Sequence, residues 1–141
     1  MSTTTMHLEV VSAEQHVLSA DITELYARSV EGEIGILPGH QPAVIALDVG
    51  SVRVVGADGS RWAVAVHRGV LYVDKDHRAI VLADVAELSD EIDVERARTR
   101  RDAVARELEA DPTDTALQVS LRKQQLRLDV AGSGAHGDTR G

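Results

Sequence analysis

The chain has 141 residues, 43% of them hydrophobic, which suits one core of ordinary size or two small ones rather than a disordered polymer. It has no cysteine, which excludes a disulfide framework, a thiolate metal site and a cysteine nucleophile, and its net charge of -8 opposes nucleic-acid binding, which needs a basic face. Aromatics are 2% with no Phe, so the core is Val, Ile, Leu and Ala, a composition that favours β packing and offers no platform for stacking bases.

In chain order, the start MSTTTMHLEVV carries no basic segment and no long apolar one, and no window reaches the ~20 apolar residues of a spanning helix. The expectation is a cytosolic or peripheral protein working where it is made, with no membrane insertion. Leu8 and Val10 alternate with His7 and Glu9, and Ile22 and Leu25 lie in a second β-rich stretch. Glu31 to His40, EGEIGILPGH, reads as a stiff corner: Gly32 and Gly35 bracket Glu33-Ile34, and Pro38-Gly39 stops the β-branched run. Glu31, Glu33 and His40 are the polar groups carried on it.

Val52 to Val55 leads into Asp58-Gly59, a dipeptide suited to a type I′ hairpin with Arg61 to His67 as partner strand. A further turn is expected at Arg68-Gly69, then strands Val70 to Val73 and Ala79 to Ala86. Roughly eight to ten short strands at this spacing, with no helix between them, predict an antiparallel sandwich or flattened barrel over residues 1–88.

At residue 89 the twofold alternation gives way to a helical repeat. Residues 1–88 carry 6 basic against 12 acidic residues and residues 89–141 carry 9 against 11, so most of the basic charge lies in the second part. Ser89 or Asp90 is expected to cap a helix running to about Ala110, and Asp111 to cap a second one beginning at Pro112. The short link makes the pair a helical hairpin, residues 89–130. Ala97, Val104 and Leu108, with Leu117, Leu121 and Leu128, form narrow apolar stripes, so the hairpin is marginal alone and docks conditionally. Residues 131–141, rich in Gly, read as a disordered tail.

Catalytic patterns are missing. The six histidines show no HxH or HExxH spacing, no serine sits in GxSxG, and no GxxxxGK[ST] run cradles phosphate. No metal site and no independent enzyme are expected.

HLEVVSAEQ (7–15), EGEIGILPGH (31–40), GSVRVV (50–55), RGVLYV (68–73), IVLADVAE (80–87) and IDVERA (92–97) together resemble, in content and order, the epsilon subunit of bacterial F-type ATP synthases. The resemblance implies a β-sandwich followed by a helical hairpin. It also implies a non-catalytic central-stalk rotor subunit that couples proton-driven ring rotation to ATP synthesis and restrains ATP hydrolysis through the hairpin. Its partners would be the gamma subunit, the membrane c-ring and the alpha/beta catalytic head, at the cytoplasmic face of the plasma membrane. Glu31, Glu33 and His40 would then contact ring and gamma.

IDVERA is similar to the motif through which some members bind ATP, which would assign Glu87, Asp93 and Arg96 to a regulatory nucleotide; no cofactor is required. Asp93 and Arg96 are equally explained as an ordinary intrahelical ion pair. The match is imperfect: Ala103 stands where a basic residue is expected, Lys123 where Arg is usual, and Arg68-Gly69 where two glycines are common. Arg122, Lys123 and Arg127 would meet the beta subunit. The alternative is a free-standing nucleotide- or small-molecule-binding module.

Overall fold

The computed structural model describes residues 4–132. Seven strands come first: β1 (Met6–Ser12), β2 (His16–Ser29), β3 (Gly32–Ile36), β4 (Ala43–Gly56), β5 (Arg61–Val73), β6 (Arg78–Ala83) and β7 (Ala86–Leu88). A 3-10 turn at Ser89–Glu91 leads into helices α1 (Val94–Ala110) and α2 (Thr115–Gly132). The expected barrel-plus-hairpin architecture is present, with fewer and longer strands than the turn spacing suggested. Ala131 and Gly132 complete α2, and the rest of the expected tail lies outside the described residues.

Strands run in the order β1-β6-β5-β4-β2-β3, and a β1–β2 pairing closes the ring. β3 hangs on the outside of β2, and β7 continues beside β5. The sheet is not wholly antiparallel, because β1 and β6 run parallel, His7 facing Arg78 through Ser12 facing Ala83. Leu8, Val10, Ile22, Leu25, Ile36, Val52, Val64, Leu71 and Val81 fill the interior, none more than 1% exposed. This aliphatic core closes without an aromatic centre, as the composition requires.

Long strands flatten the barrel by reversing which face points inward. On β4 the inward residues pass from Leu47 to Val52, and on β5 from Val66 to Leu71, odd intervals that an undistorted strand does not allow. β5 therefore runs straight through Arg68-Gly69, where a turn was expected. Arg68 takes φ 81°, and a Cβ on Gly69 would stand 2.3 Å from the Leu82 carbonyl oxygen. The site is a kink in one continuous strand, at the place where β6 gives way to β7.

The β4–β5 turn also differs from type I′. Gly59 alone has positive φ, 90°, and its N–H donates to the Gly56 carbonyl at 3.0 Å, so the left-handed residue follows the turn instead of lying in its first half.

Helix caps fall three residues later than expected. Asp93, not Ser89 or Asp90, caps α1, its side chain accepting from the Arg96 N–H at 3.0 Å. The 3-10 turn intervenes because Ile92, 7% exposed, is drawn into the contact between hairpin and barrel. Asp111 closes the C-terminus of α1, and Asp114 caps α2 by accepting from the Leu117 N–H at 3.1 Å. Ala97 and Val104 are buried as expected on α1, but on α2 the buried anchor is Val130, while Leu117, Leu121 and Leu128 are only half-buried.

Candidate functional site: an exposed barrel edge and the barrel–hairpin junction

The corner residues lie along the edge strand. Val30 and Glu31 form the β2–β3 turn, held by the buried Ser29, whose hydroxyl donates to the Gly32 carbonyl at 2.8 Å and accepts from the Glu31 N–H at 3.0 Å. Glu33, opposite Arg28 in the β2–β3 register, forms an ion pair with Arg53. After β3, the His40 N–H donates to the Leu37 carbonyl at 3.0 Å, closing a Pro38-Gly39 turn in which Gly39 takes φ 92°. His40 Nδ1 lies 2.7 Å from the Gln41 carbonyl. Five residues of strand separate the two turns, ~17 Å of rise, so Glu31 and His40 occupy opposite ends of the edge rather than one corner.

Apolar groups that motif reading passed over make the larger surface. Val44, Tyr72 and Ile80 face one another across β4, β5 and β6, and all three are exposed, Val44 to 71%. With Pro42, Lys75 and Arg78 they line an open groove of about 580 Å³. The sequence signal was present: Ala43 to Leu47, Val70 to Val73 and Ala79 to Ala83 are uninterrupted apolar runs, which half-buried strands do not have. Val30 and Leu37 add exposed apolar side chains beside the β3 turns.

At the other end of β5 the hairpin packs on the outside of the barrel. The apolar contact is small: Ala63 and Ala65 of β5 against Ile92 and Val130, with Leu126 and Ala131 beside them. Charged groups add to it. Arg127 of α2 reaches Glu87 of β7 with two hydrogen bonds, Nε to Oε1 at 2.9 Å and Nη2 to Oε2 at 3.1 Å, and Nη1 donates to Gln124 at 3.1 Å. Arg122 meets Asp48 of β4 at 3.5 Å. His67, 7% exposed, brings Nε2 to 3.6 Å from the Glu87 Oε1; the imidazole Nε2 is buried and has no hydrogen-bond partner among the described residues. The His67 imidazole and the Arg127 guanidinium hold the Glu87 carboxyl below its usual range, against the burial that would raise it.

The two sets of hairpin residues read from sequence thus interlock. Glu87, from the nucleotide set, is paired with Arg127, from the beta-contact set. Asp93 faces the helix backbone instead of the Arg96 side chain, and Arg96 is exposed with no ion pair among the described residues. Lys123 is half-buried beside Thr115, Val119 and Ser120 on α2 itself. His67 and Asp48 were missed, since nothing local marks a strand histidine or a β4 aspartate as facing a helix sixty residues away or more.

The histidines are less scattered than their spacing suggests. His7 Nε2 and His16 Nε2 converge on the two oxygens of Glu9, at 3.2 and 3.0 Å, while His7 Nδ1 meets Asp21 at 3.0 Å. The Asp21 and Glu9 carboxylates raise the His7 pKa, against a smaller opposing effect of burial.

Residues 5–89 match the family described as ATP synthase, Delta/Epsilon chain, beta-sandwich domain. The ATP synthase epsilon chain of Streptomyces griseus is 39% identical over 123 residues, covering 87% of this chain and 92% of that one. That of Halalkalibacterium halodurans is 39% identical over 133 residues, 91% of this chain and 98% of its own. That of Thermobifida fusca is 38% identical over 132 residues, 92% and 96%. Among solved structures, a chain of the Euglena gracilis mitochondrial ATP synthase, OSCP/F1/c-ring in rotational state 1, aligns with TM-score 0.69 at 19% identity over 94% of this chain and 80% of that one, a likeness of fold. The family profile spans the whole barrel and the relatives extend through the hairpin, so the chain belongs to the ATP synthase delta/epsilon family.

Proposed function

We propose that this chain is the epsilon-type subunit of an F-type ATP synthase, a non-catalytic part of the central stalk whose hairpin restrains ATP hydrolysis. The observation that carries the reading is the family match across the barrel, continued by the relatives through a hairpin that is held by a small apolar patch and two charged contacts. A hairpin held this way can lift off without disturbing the barrel core, which is built from other residues.

The barrel supplies the static contacts. Its exposed row Val44, Tyr72 and Ile80 suits a partner surface, assigned here to the gamma subunit, while the β3 edge with Glu31, Glu33 and His40 is assigned to ring and gamma. Glu33 must exchange Arg53 for such a partner, a small cost because both side chains are about half exposed. On the opened hairpin, Arg122 and Arg127 exchange Asp48 and Glu87 for acidic groups of the catalytic head, with Lys123 beside them. A regulatory ATP held by Glu87, Asp93 and Arg96 would require Glu87 to loosen from Arg127, with the exposed Arg96 available to phosphate. No described helix is long and apolar enough to cross a membrane, in keeping with peripheral attachment at the cytoplasmic face.

Co-purification tests the assignment. The chain is expected to accompany the alpha, beta and gamma chains from detergent-solubilised membranes in fixed ratio, and Glu33→Lys to reduce that recovery. A chain found only in the soluble fraction, alone, would instead support a free-standing binding module.

A further inference from the structure

Among the described residues, His67 is the one buried side chain at the barrel–hairpin junction whose polar atom lacks a hydrogen bond, and it faces the carboxylate that anchors the helix. We propose that His67, Glu87 and Arg127 form a proton-operated latch, in which the neutral imidazole permits the hairpin to close and its protonation releases it. The proposal rests on the reading that the hairpin docks and undocks.

The sign follows from the groups around His67. β7 presents Glu87, α2 presents Arg127 and, nearby, Arg122 paired with Asp48 of β4; Arg68 on the same strand and Asp90 and Glu91 of the 3-10 turn are exposed. In the closed state both Glu87 oxygens already receive Arg127, so an imidazolium would be a second cation on one carboxylate, in a place with little water. When α2 lifts away, Arg127 leaves, His67 meets solvent, and Glu87 remains on the barrel as its counter-ion. A proton on His67 is therefore held better in the open state, and by linkage acid favours opening. Glu87 acts in the same direction at lower pH. Its carboxyl is depressed in the closed state, so its contribution to docking is present above the undocked carboxylate range and is lost as pH falls through the closed-state value.

Energy transfer across the full-length chain tests this. The sequence has no cysteine, so Ala57→Cys on the barrel and Thr113→Cys between the helices accept a dye pair without background labelling. Between about pH 8 and about pH 5.5 the docked-to-undocked ratio is expected to fall about tenfold. His67→Gln should remove that fall, leaving only a change below about pH 5 where carboxylates titrate. Emission of the single tryptophan, Trp62, reports that the barrel stays folded, and His67→Asn serves where the glutamine is not accommodated. A His67 variant that keeps the wild-type pH profile would overturn the latch while leaving docking intact. Arg127→Gln should separate the dyes already at pH 8; dyes that never separate under any condition would overturn the docking reading and the latch with it.

Discussion

Arg127 and Glu87, forty residues apart, meet in a two-bond guanidinium–carboxylate pair that ties the second helix to the last strand of the barrel. The arginine side chain is 16% exposed and the glutamate 25%, so the pair is shielded from solvent, unlike the Arg98–Glu95 pair on the surface of α1. Beside it, the exposed Arg122–Asp48 pair and a small apolar contact, Ala63 and Ala65 against Ile92, Leu126, Val130 and Ala131, hold the hairpin.

Arg127→Gln should therefore weaken docking by about 1–3 kcal/mol, since it leaves a half-buried carboxylate without its cation. The barrel should keep its stability. Hydrogen exchange at the Leu126 to Val130 amides is the direct readout: protection should drop there and persist in β4 and β5. Unchanged protection of α2 would show that apolar packing alone holds it.

The kink in β5 makes an opposite pair of predictions from neighbouring residues. Arg68 occupies a left-handed conformation that a side chain disfavours by about 1 kcal/mol, so Arg68→Gly should leave the barrel as stable or up to ~1 kcal/mol more so, after glycine's greater unfolded-state freedom is set against the relief. Gly69→Ala should cost about 3 kcal/mol, because the new carbon meets the Leu82 backbone and not a movable side chain. Urea unfolding of both variants, followed by Trp62 emission, decides; equal midpoints would contradict the kink geometry.

Local pattern carried much of this architecture. Alternation at Leu8 and Val10 foretold β1, and the change of period at residue 89 marked the start of the hairpin. Reversals of the inward face at Leu47 to Val52 and Val66 to Leu71 were hidden, since a kink depends on which carbonyls a neighbouring strand offers. The parallel β1–β6 pair joins strands about seventy residues apart and leaves no local trace. Helix caps were placed too early, at Ser89 or Asp90 and at Asp111, because the aspartates that do cap, Asp93 and Asp114, follow three residues after another aspartate; burial of Ile92 selects Asp93 at the first. At the junction the individual residues Glu87 and Arg127 stood out through the family resemblance, each for a separate task. Their pairing did not, because it requires the docked geometry of a helix on a sheet.

Asp93 illustrates a residue with a structural task inside a motif that also suggests nucleotide. Asp93→Ala should destabilise the start of α1 by about 1 kcal/mol, and Asp93→Asn should restore most of it, since an amide oxygen still accepts from the Arg96 N–H. Circular dichroism of the two variants on heating measures this. Equal helicity in Asp93→Ala and wild type would remove the capping role and leave the residue to a ligand.

ATP hydrolysis by the purified membrane complex, with the intact chain against one ending at Leu88, is the most direct test of the central claim. The truncated barrel should still assemble, because its core and exposed partner surfaces lie within residues 1–88, and hydrolysis should rise. Full assembly of both forms with equal hydrolysis would contradict a restraining hairpin.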